Sequence, residues 1–329
     1  MHHDPLTPAD RSLVDGVVAG QRRALAKAIT LVESTRPDHQ QRAQHVLNAL
    51  LPRTGRAIRL GISGVPGAGK STFIEALGVW LIERGRRLAV LAVDPSSTVS
   101  GGSILGDKTR MELLSQREEA FIRPSPSAGS LGGVAEKTRE AMLLCEAAGY
   151  DVIIVETVGV GQSETTVAGM VDMFCLLQLP NAGDDLQAIK KGIVEIADVV
   201  VINKADIDPA ATEVTRAQWR NALHMLRPTS PSWAPPVIAL SALKKEGIAD
   251  FWAQVEAYRE ALGPGGELAA KRQQQALSWM WQLIDSELRQ RFRHHGGVLE
   301  RLAELSGAVE RGEVTPFAAA HALLDRLKD

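Results

Sequence analysis

The chain has 329 residues, 45% of them hydrophobic and 23% charged, with a formal net charge of −2. This near-neutral balance gives no electrostatic basis for binding nucleic acid, and no apolar run is long enough to span a membrane. The length suits one large domain with extensions. With no basic segment leading into an apolar core at the amino end, a cytoplasmic protein is the expectation.

Residues 1–56 read as an N-terminal helical extension. His2-His3 is assigned no function. Thr7-Pro8 looks like an N-cap with Pro at the first helical position. Leu13, Val17, Leu25, Ile29 and Val32 then recur at helical spacing as one first helix. A second helix is expected from Pro37 to Leu51, stopping near Pro52.

From Ala57 to Gly263 apolar runs alternate with helical patterns. The runs are Ile58–Ser63, Leu88–Val93, Ala120–Arg123, Val152–Glu156, Met173–Leu179, Val199–Asn203 and Val237–Ser241. Strands alternating with helices imply an α/β fold with a mainly parallel sheet covered on both faces. Ligands of such sheets bind at the carboxyl ends of the strands, where Asp94, Glu156 and Asn203 fall. Cys145 and Cys175 lie among apolar residues, far apart and outside any C-x-x-C, and read as core.

The first strand runs into Gly64-Val65-Pro66-Gly67-Ala68-Gly69-Lys70-Ser71, which fits G-x-x-x-x-G-K-[ST], with a helical pattern from Ser71 to Arg84 behind it. The glycines let consecutive N–H groups turn inward on a phosphate chain, and the helix adds its positive end. Lys70 can reach the β- and γ-phosphates, the Ser71 hydroxyl can hold Mg²⁺, and Thr72 belongs to the same GTP-binding stretch.

The second strand ends at Asp94, and a polar Gly/Ser loop leads on to Asp107. Mg²⁺ takes one or two carboxylates with phosphate oxygens and waters, so Asp94 is the expected strand-end metal residue and Asp107 an acid that enters on closure. Asp107 also reads as an N-terminal acid of a helix from Lys108 to Ser115. Val152 to Gly159 is a second switch, with Glu156-Thr157-Val158-Gly159 in place of Asp-x-x-Gly. Gly159 can sense the γ-phosphate, and Glu156 can orient a Mg²⁺-bound or attacking water. Gln162 is a candidate mover. After Leu179 come Asp184 and Asp185, which physical chemistry alone reads as a solvated loop.

The run Ala197–Ile202 precedes Asn203-Lys204-Ala205-Asp206, the N-K-x-D pattern of guanine loops. A carboxylate at Asp206 accepts from N1–H and the exocyclic amine of guanine, whereas adenine offers a lone pair there. Ser241-Ala242-Leu243 follows a further strand and stands where GTPases place backbone N–H groups on guanine O6. Beyond the breaker cluster Gly263-Pro264-Gly265-Gly266, residues 264–329 form a C-terminal helical arm. Leu277, Trp281, Ile284 and Leu288 are spaced four, three and four apart, a packing seam expected to meet a second chain. Thr315-Pro316 caps a last helix through Leu327.

Four stretches resemble one family: Arg22 to Thr30, Asp94 to Met111, Ile122 to Val134 and Glu156 to Glu164. They are similar to the MeaB/ArgK GTPases, the family of the methylmalonic aciduria type A protein, over nearly the whole chain up to Arg259. The resemblance implies a P-loop NTPase of the SIMIBI type. It also implies a GTP- and Mg²⁺-dependent chaperone for an adenosylcobalamin-dependent acyl-CoA mutase, usually methylmalonyl-CoA mutase. A homodimer joined through the C-terminal arm is implied too, as is a third switch at Gln178 to Lys190, which gives Asp184 and Asp185 a signalling role. The alternatives weighed are a GTP-dependent metallochaperone of the same fold and a small-molecule kinase linked to amino-acid transport. The first would carry Cys- or His-rich metal motifs that are missing here. The second needs an acceptor pocket with a base.

Overall fold

The computed structural model describes residues 6–93, 111–124, 131–157, 163–180, 191–226 and 230–328. They divide into two compact units, one up to Arg272 and one from Gln273.

The first unit is built on seven strands: β1 (Ile58–Gly64), β2 (Leu88–Val93), β3 (Ala120–Pro124), β4 (Val152–Thr157), β5 (Met173–Gln178), β6 (Val199–Ile202) and β7 (Val237–Ala239). Their order is β3-β2-β4-β1-β5-β6-β7, and every pairing is parallel. Continuous apolar runs are what strands buried on both faces require. In β4 the alternation sends Val152 and Ile154 to one core, and Ile153 and Val155 to the other. The first core is covered by helices Lys70–Ile82 and Ile248–Leu262, where Phe73 and Phe251 meet edge-on with centroids 4.9 Å apart. Helix Leu131–Ala147 covers the second core, and Pro209–His224 buries Trp219 beside β6 and β7.

The amino-terminal segment differs from the single helix expected. It forms Pro8–Val18 and Arg22–Glu33, with Pro37–Leu50 after them. Gly20 takes φ +69°, and the Gly20 and Gln21 amides turn back onto the Val17 and Gly16 carbonyls, closing the helix as an αL cap does. The interval from Val17 to Leu25 is two helical turns, so the apolar spacing reads straight across the break. These helices share one core with the sheet: Val17, Leu25, Ile29 and Val46 pack with Phe121, Tyr150 and Val155.

At the amino ends of β1 and β5 a buried polar joint receives the start of helix Glu267–His294. Asp172, fully buried, accepts from Arg272 Nε at 2.7 Å and Nη2 at 2.6 Å, and from the Arg59 amide at 2.8 Å. Arg272 also donates to the Gly55 and Ala57 carbonyls. Beside it Lys271 Nζ donates to Asp198 Oδ2 at 3.2 Å. Burial pushes the Asp198 carboxyl up, and Lys271 opposes that.

The second unit holds the rest of that helix with Gly296–Glu310 and Pro316–Asp325 around a small core of Val298, Leu305, Ala319 and Leu323. Thr315 caps the last helix by accepting from the Ala318 amide. Leu277, Trp281, Ile284 and Leu288 are all exposed, Trp281 by 61%.

Candidate functional site

The site begins where β1 passes into helix Lys70–Ile82. Gly69 stands at the N-cap with φ +87°, a backbone state that L side chains rarely adopt, and a Cβ there would lie 2.6 Å from Asn203 Nδ2. Ala68 is buried and its amide closes onto the Val65 carbonyl, while Pro66 and Gly67 stay exposed. Lys70 lies back across the loop, donating from Nζ to the Gly64 carbonyl at 2.7 Å and the Val65 carbonyl at 3.3 Å. Ser71 is half-buried one position on, and Thr72 is exposed.

The strand alternation aims the next group. Val152 and Ile154 face helix Lys70–Ile82, so Glu156, two further on, faces it as well. Ser71 Oγ donates to Glu156 Oε1 at 3.2 Å. A hydroxyl and a carboxylate thus converge at the mouth of the phosphate loop. This is a hard-oxygen pair of the kind Mg²⁺ takes together with phosphate oxygens and waters, so the residues present fit that ion. Thr157 turns to the other face, where its hydroxyl donates to Ser63 Oγ at 2.8 Å and ties the ends of β4 and β1 together.

On the other flank Asn203, buried at the end of β6, works as a strut. Its Nδ2 donates to the Ala68 carbonyl at 2.8 Å, and its Oδ1 accepts from the Ala242 amide at 3.0 Å. One side chain therefore joins the phosphate loop to the loop after β7. Lys204 then takes φ +61°, an uncommon state for a residue with a Cβ. The chain turns there and brings Asp206 round to Lys244, whose Nζ lies 3.6 Å from Asp206 Oδ2. The Ser241 hydroxyl holds the Asp206 carboxyl below the usual carboxylate range, with Lys244 adding to it, which keeps an ionised acceptor in place. In the loop itself the Ser241 amide is taken by the Glu246 carbonyl and the Ala242 amide by Asn203, whereas Leu243 is exposed.

Of the sequence-predicted residues, Gly64 to Thr72, Glu156, Asn203, Lys204, Asp206 and Ser241 to Leu243 gather at the carboxyl ends of β1, β4, β6 and β7. Asp94, Asp107, Gly159, Gln162, Asp184 and Asp185 lie outside the described residues. Three features were missed from sequence: the Thr157–Ser63 pair, the strut role of Asn203, and Lys244 beside Asp206. Only Lys244 had a signal, being the first cation after the Ser241–Leu243 loop. Both cysteines are buried, and burial pushes their thiols up, as core residues require.

Known proteins carry the same plan. The family described as Methylmalonyl Co-A mutase-associated GTPase MeaB matches residues 25–296. The GTPase ArgK of Escherichia coli is 54% identical over 270 residues, 82% of each chain. A mitochondrial methylmalonic aciduria type A homolog of Mus musculus is 48% identical over 344 aligned positions, covering 99% of this chain and 82% of that one. A solved structure described as a LAO/AO transport system kinase superposes with a TM-score of 0.78 at 39% identity, over 99% of this chain and all of that one. A phosphate loop backed by Glu156, a strut at Asn203 and a match running from the amino-terminal helices into the arm lead to one conclusion: the chain belongs to the MeaB family of mutase-associated GTPases.

Proposed function

We propose that this GTPase is a Mg²⁺-dependent, cytoplasmic chaperone of an adenosylcobalamin-dependent acyl-CoA mutase, methylmalonyl-CoA mutase first among them. In this reading it gates cofactor delivery and protects or reactivates the mutase. The observation that carries the chemistry is the convergence of Ser71 and Glu156 at 3.2 Å beside a phosphate loop spanned by Lys70. The family's own description carries the partner.

In this reading each residue has a task. Lys70 exchanges its two loop carbonyls for β- and γ-phosphate oxygens. Ser71 and Glu156, with Asp94 and Asp107, would hold the Mg²⁺, which would supply positive charge to the phosphates. Glu156 orients water, and Gly159 reports the γ-phosphate. Catalysis of this kind is mostly positioning and electrostatics, which a preformed cradle supplies. Asp206 and Lys204 frame guanine, and the Leu243 amide faces O6, since the amides of Ser241 and Ala242 are used within the protein. Two chains join through the seam of Leu277, Trp281, Ile284 and Leu288, which a lone chain leaves exposed. Gln162, Asp184 and Asp185 signal the nucleotide state to the mutase.

The test is phosphate release from GTP with and without purified methylmalonyl-CoA mutase. The mutase should speed hydrolysis, because ordering loops that touch the γ-phosphate lowers the cost of reaching the transition state. Asp184→Ala/Asp185→Ala should lose most of the stimulation and keep the basal rate. A double mutant stimulated like wild type removes the signalling role, and loss of its basal rate moves those acids into the catalytic site.

A further inference from the structure

The family-like run Arg22 to Thr30 takes no part in the nucleotide site. One face of its helix is spent on packing: Arg22 donates to the Arg117 carbonyl, and Thr30 accepts from Arg123, whose Nε also donates to Glu33 at 3.1 Å. Between helices Pro8–Val18 and Pro37–Leu50 the same helix borders a groove of about 590 Å³, with Thr30 at its margin. Leu13, Ala24 and Leu31 give it an apolar floor, and Arg23 and Lys27 rise from it four residues apart.

Two of the cations lining this groove, Arg23 and Lys27, are uncompensated. None of its lining residues is acidic. Arg42 also borders it, but its guanidinium is occupied by Asp10 at 2.8 Å, a carboxylate only 1% exposed. His39 meets the Ser34 hydroxyl at 2.9 Å and lies 3.9 Å from Asp38, which is also paired with Arg36. Arg23 and Lys27 are exposed, and among the described residues neither makes an ion pair or hydrogen bond.

Two free cations one helical turn apart, beside an apolar floor, match a helix with an apolar stripe flanked by two carboxylates at the same interval. A small anion is a poorer fit. Small-molecule sites bury most of their ligand, and here both cations face solvent, so a metabolite would stay largely hydrated. A macromolecular segment brings its own cover. A net charge of −2 for the whole chain argues against a nucleic acid.

We propose that this groove seats an acidic amphipathic helix of a partner protein, with its apolar stripe on Leu13, Ala24 and Leu31 and its carboxylates on Arg23 and Lys27. The surface is separate from the GTP site, and the proposal does not depend on which mutase, if any, the GTPase serves.

The experiment uses the full chain and two labelled helical peptides of about five turns. They share one leucine stripe and differ in carrying Glu pairs or Lys pairs four residues apart. Fluorescence anisotropy should show saturable binding of the Glu peptide and not of the Lys peptide, weakening about tenfold or more as salt rises from low to above physiological. Arg23→Glu/Lys27→Glu should lose the Glu peptide by a similar factor and gain the Lys peptide, with GTP affinity and melting temperature unchanged. The proposal is overturned if the Glu peptide fails to saturate, if wild type and variant bind it alike, or if millimolar pyrophosphate displaces it as well as unlabelled peptide does. The last result would mark a small-anion site.

Discussion

Lys70 lies half-buried across its own loop, where it donates to two backbone carbonyls, away from the apolar core. Lys70→Ala is therefore expected to abolish phosphate release while the circular dichroism melt stays that of wild type. Full turnover by this variant would contradict the assignment of the loop. At the other end of the nucleotide, Asp206 is kept ionised by the Ser241 hydroxyl and Lys244. Its charge-assisted pair with the donor edge of guanine should favour GTP over ATP by roughly 2–4 kcal/mol. Calorimetric titration of Asp206→Ala with both nucleotides should show most of that gap gone. Equal affinity of the wild type for ATP and GTP would defeat the guanine reading.

Among the elements, the joint between the first and third helices makes a testable pH prediction. Asp10 is buried, and the hydrogen bond from Arg42, helped by Thr7, holds its carboxyl below the usual carboxylate range. A carboxyl whose folded pKa is lowered stabilises the fold fully above the unfolded value and loses that contribution as pH falls through the folded one. Asp10→Asn should accordingly cost roughly 1–2 kcal/mol at pH 7. The deficit should shrink as pH falls below the ordinary carboxylate range towards the lower folded value. Urea melts of both proteins at neutral and acid pH check this, and a deficit that stays constant would refute it. The joint at Asp172 works by a different term. Arg272→Met leaves a fully buried carboxylate with the Arg59 amide and no cation, a loss of about 3–5 kcal/mol in comparable cases. A drop of less than about 1 kcal/mol in the same melts would mean that water reaches Asp172.

For the molecule as a whole, the division into units decides where it can be cut. The breaker cluster Gly263 to Gly266 invites a truncation before Glu267, yet Lys271 and Arg272 belong to the sheet's own polar joint, and Glu267 accepts from Ser230. A chain ending at Arg272 should stay folded and bind GTP with wild-type affinity. If the seam of Leu277, Trp281, Ile284 and Leu288 joins two chains, the full protein should sediment as a dimer at micromolar concentration and the truncated one as a monomer. A monomeric full-length protein would leave that apolar row without a partner and count against the dimer.

Much of this was legible in the residues in order. All seven strands lie where the apolar runs are, within one or two residues, because a parallel strand covered on both faces needs a continuous apolar stretch. The phosphate loop and the turn at Asn203-Lys204-Ala205-Asp206 stand out in the sequence because each is a short segment in which certain residues recur at fixed spacing. The break at Gly20 stayed hidden because Val17 and Leu25 keep helical phase across it. Other features depend on partners far apart in sequence, and only the packed sheet brings those partners together: Asn203 between Ala68 and Ala242, Thr157 against Ser63, and Arg272 on Asp172, a hundred positions away. A local pattern records what a segment's own backbone requires. Which polar groups then meet is decided by strand order and register, and those follow from the burial of every strand at once.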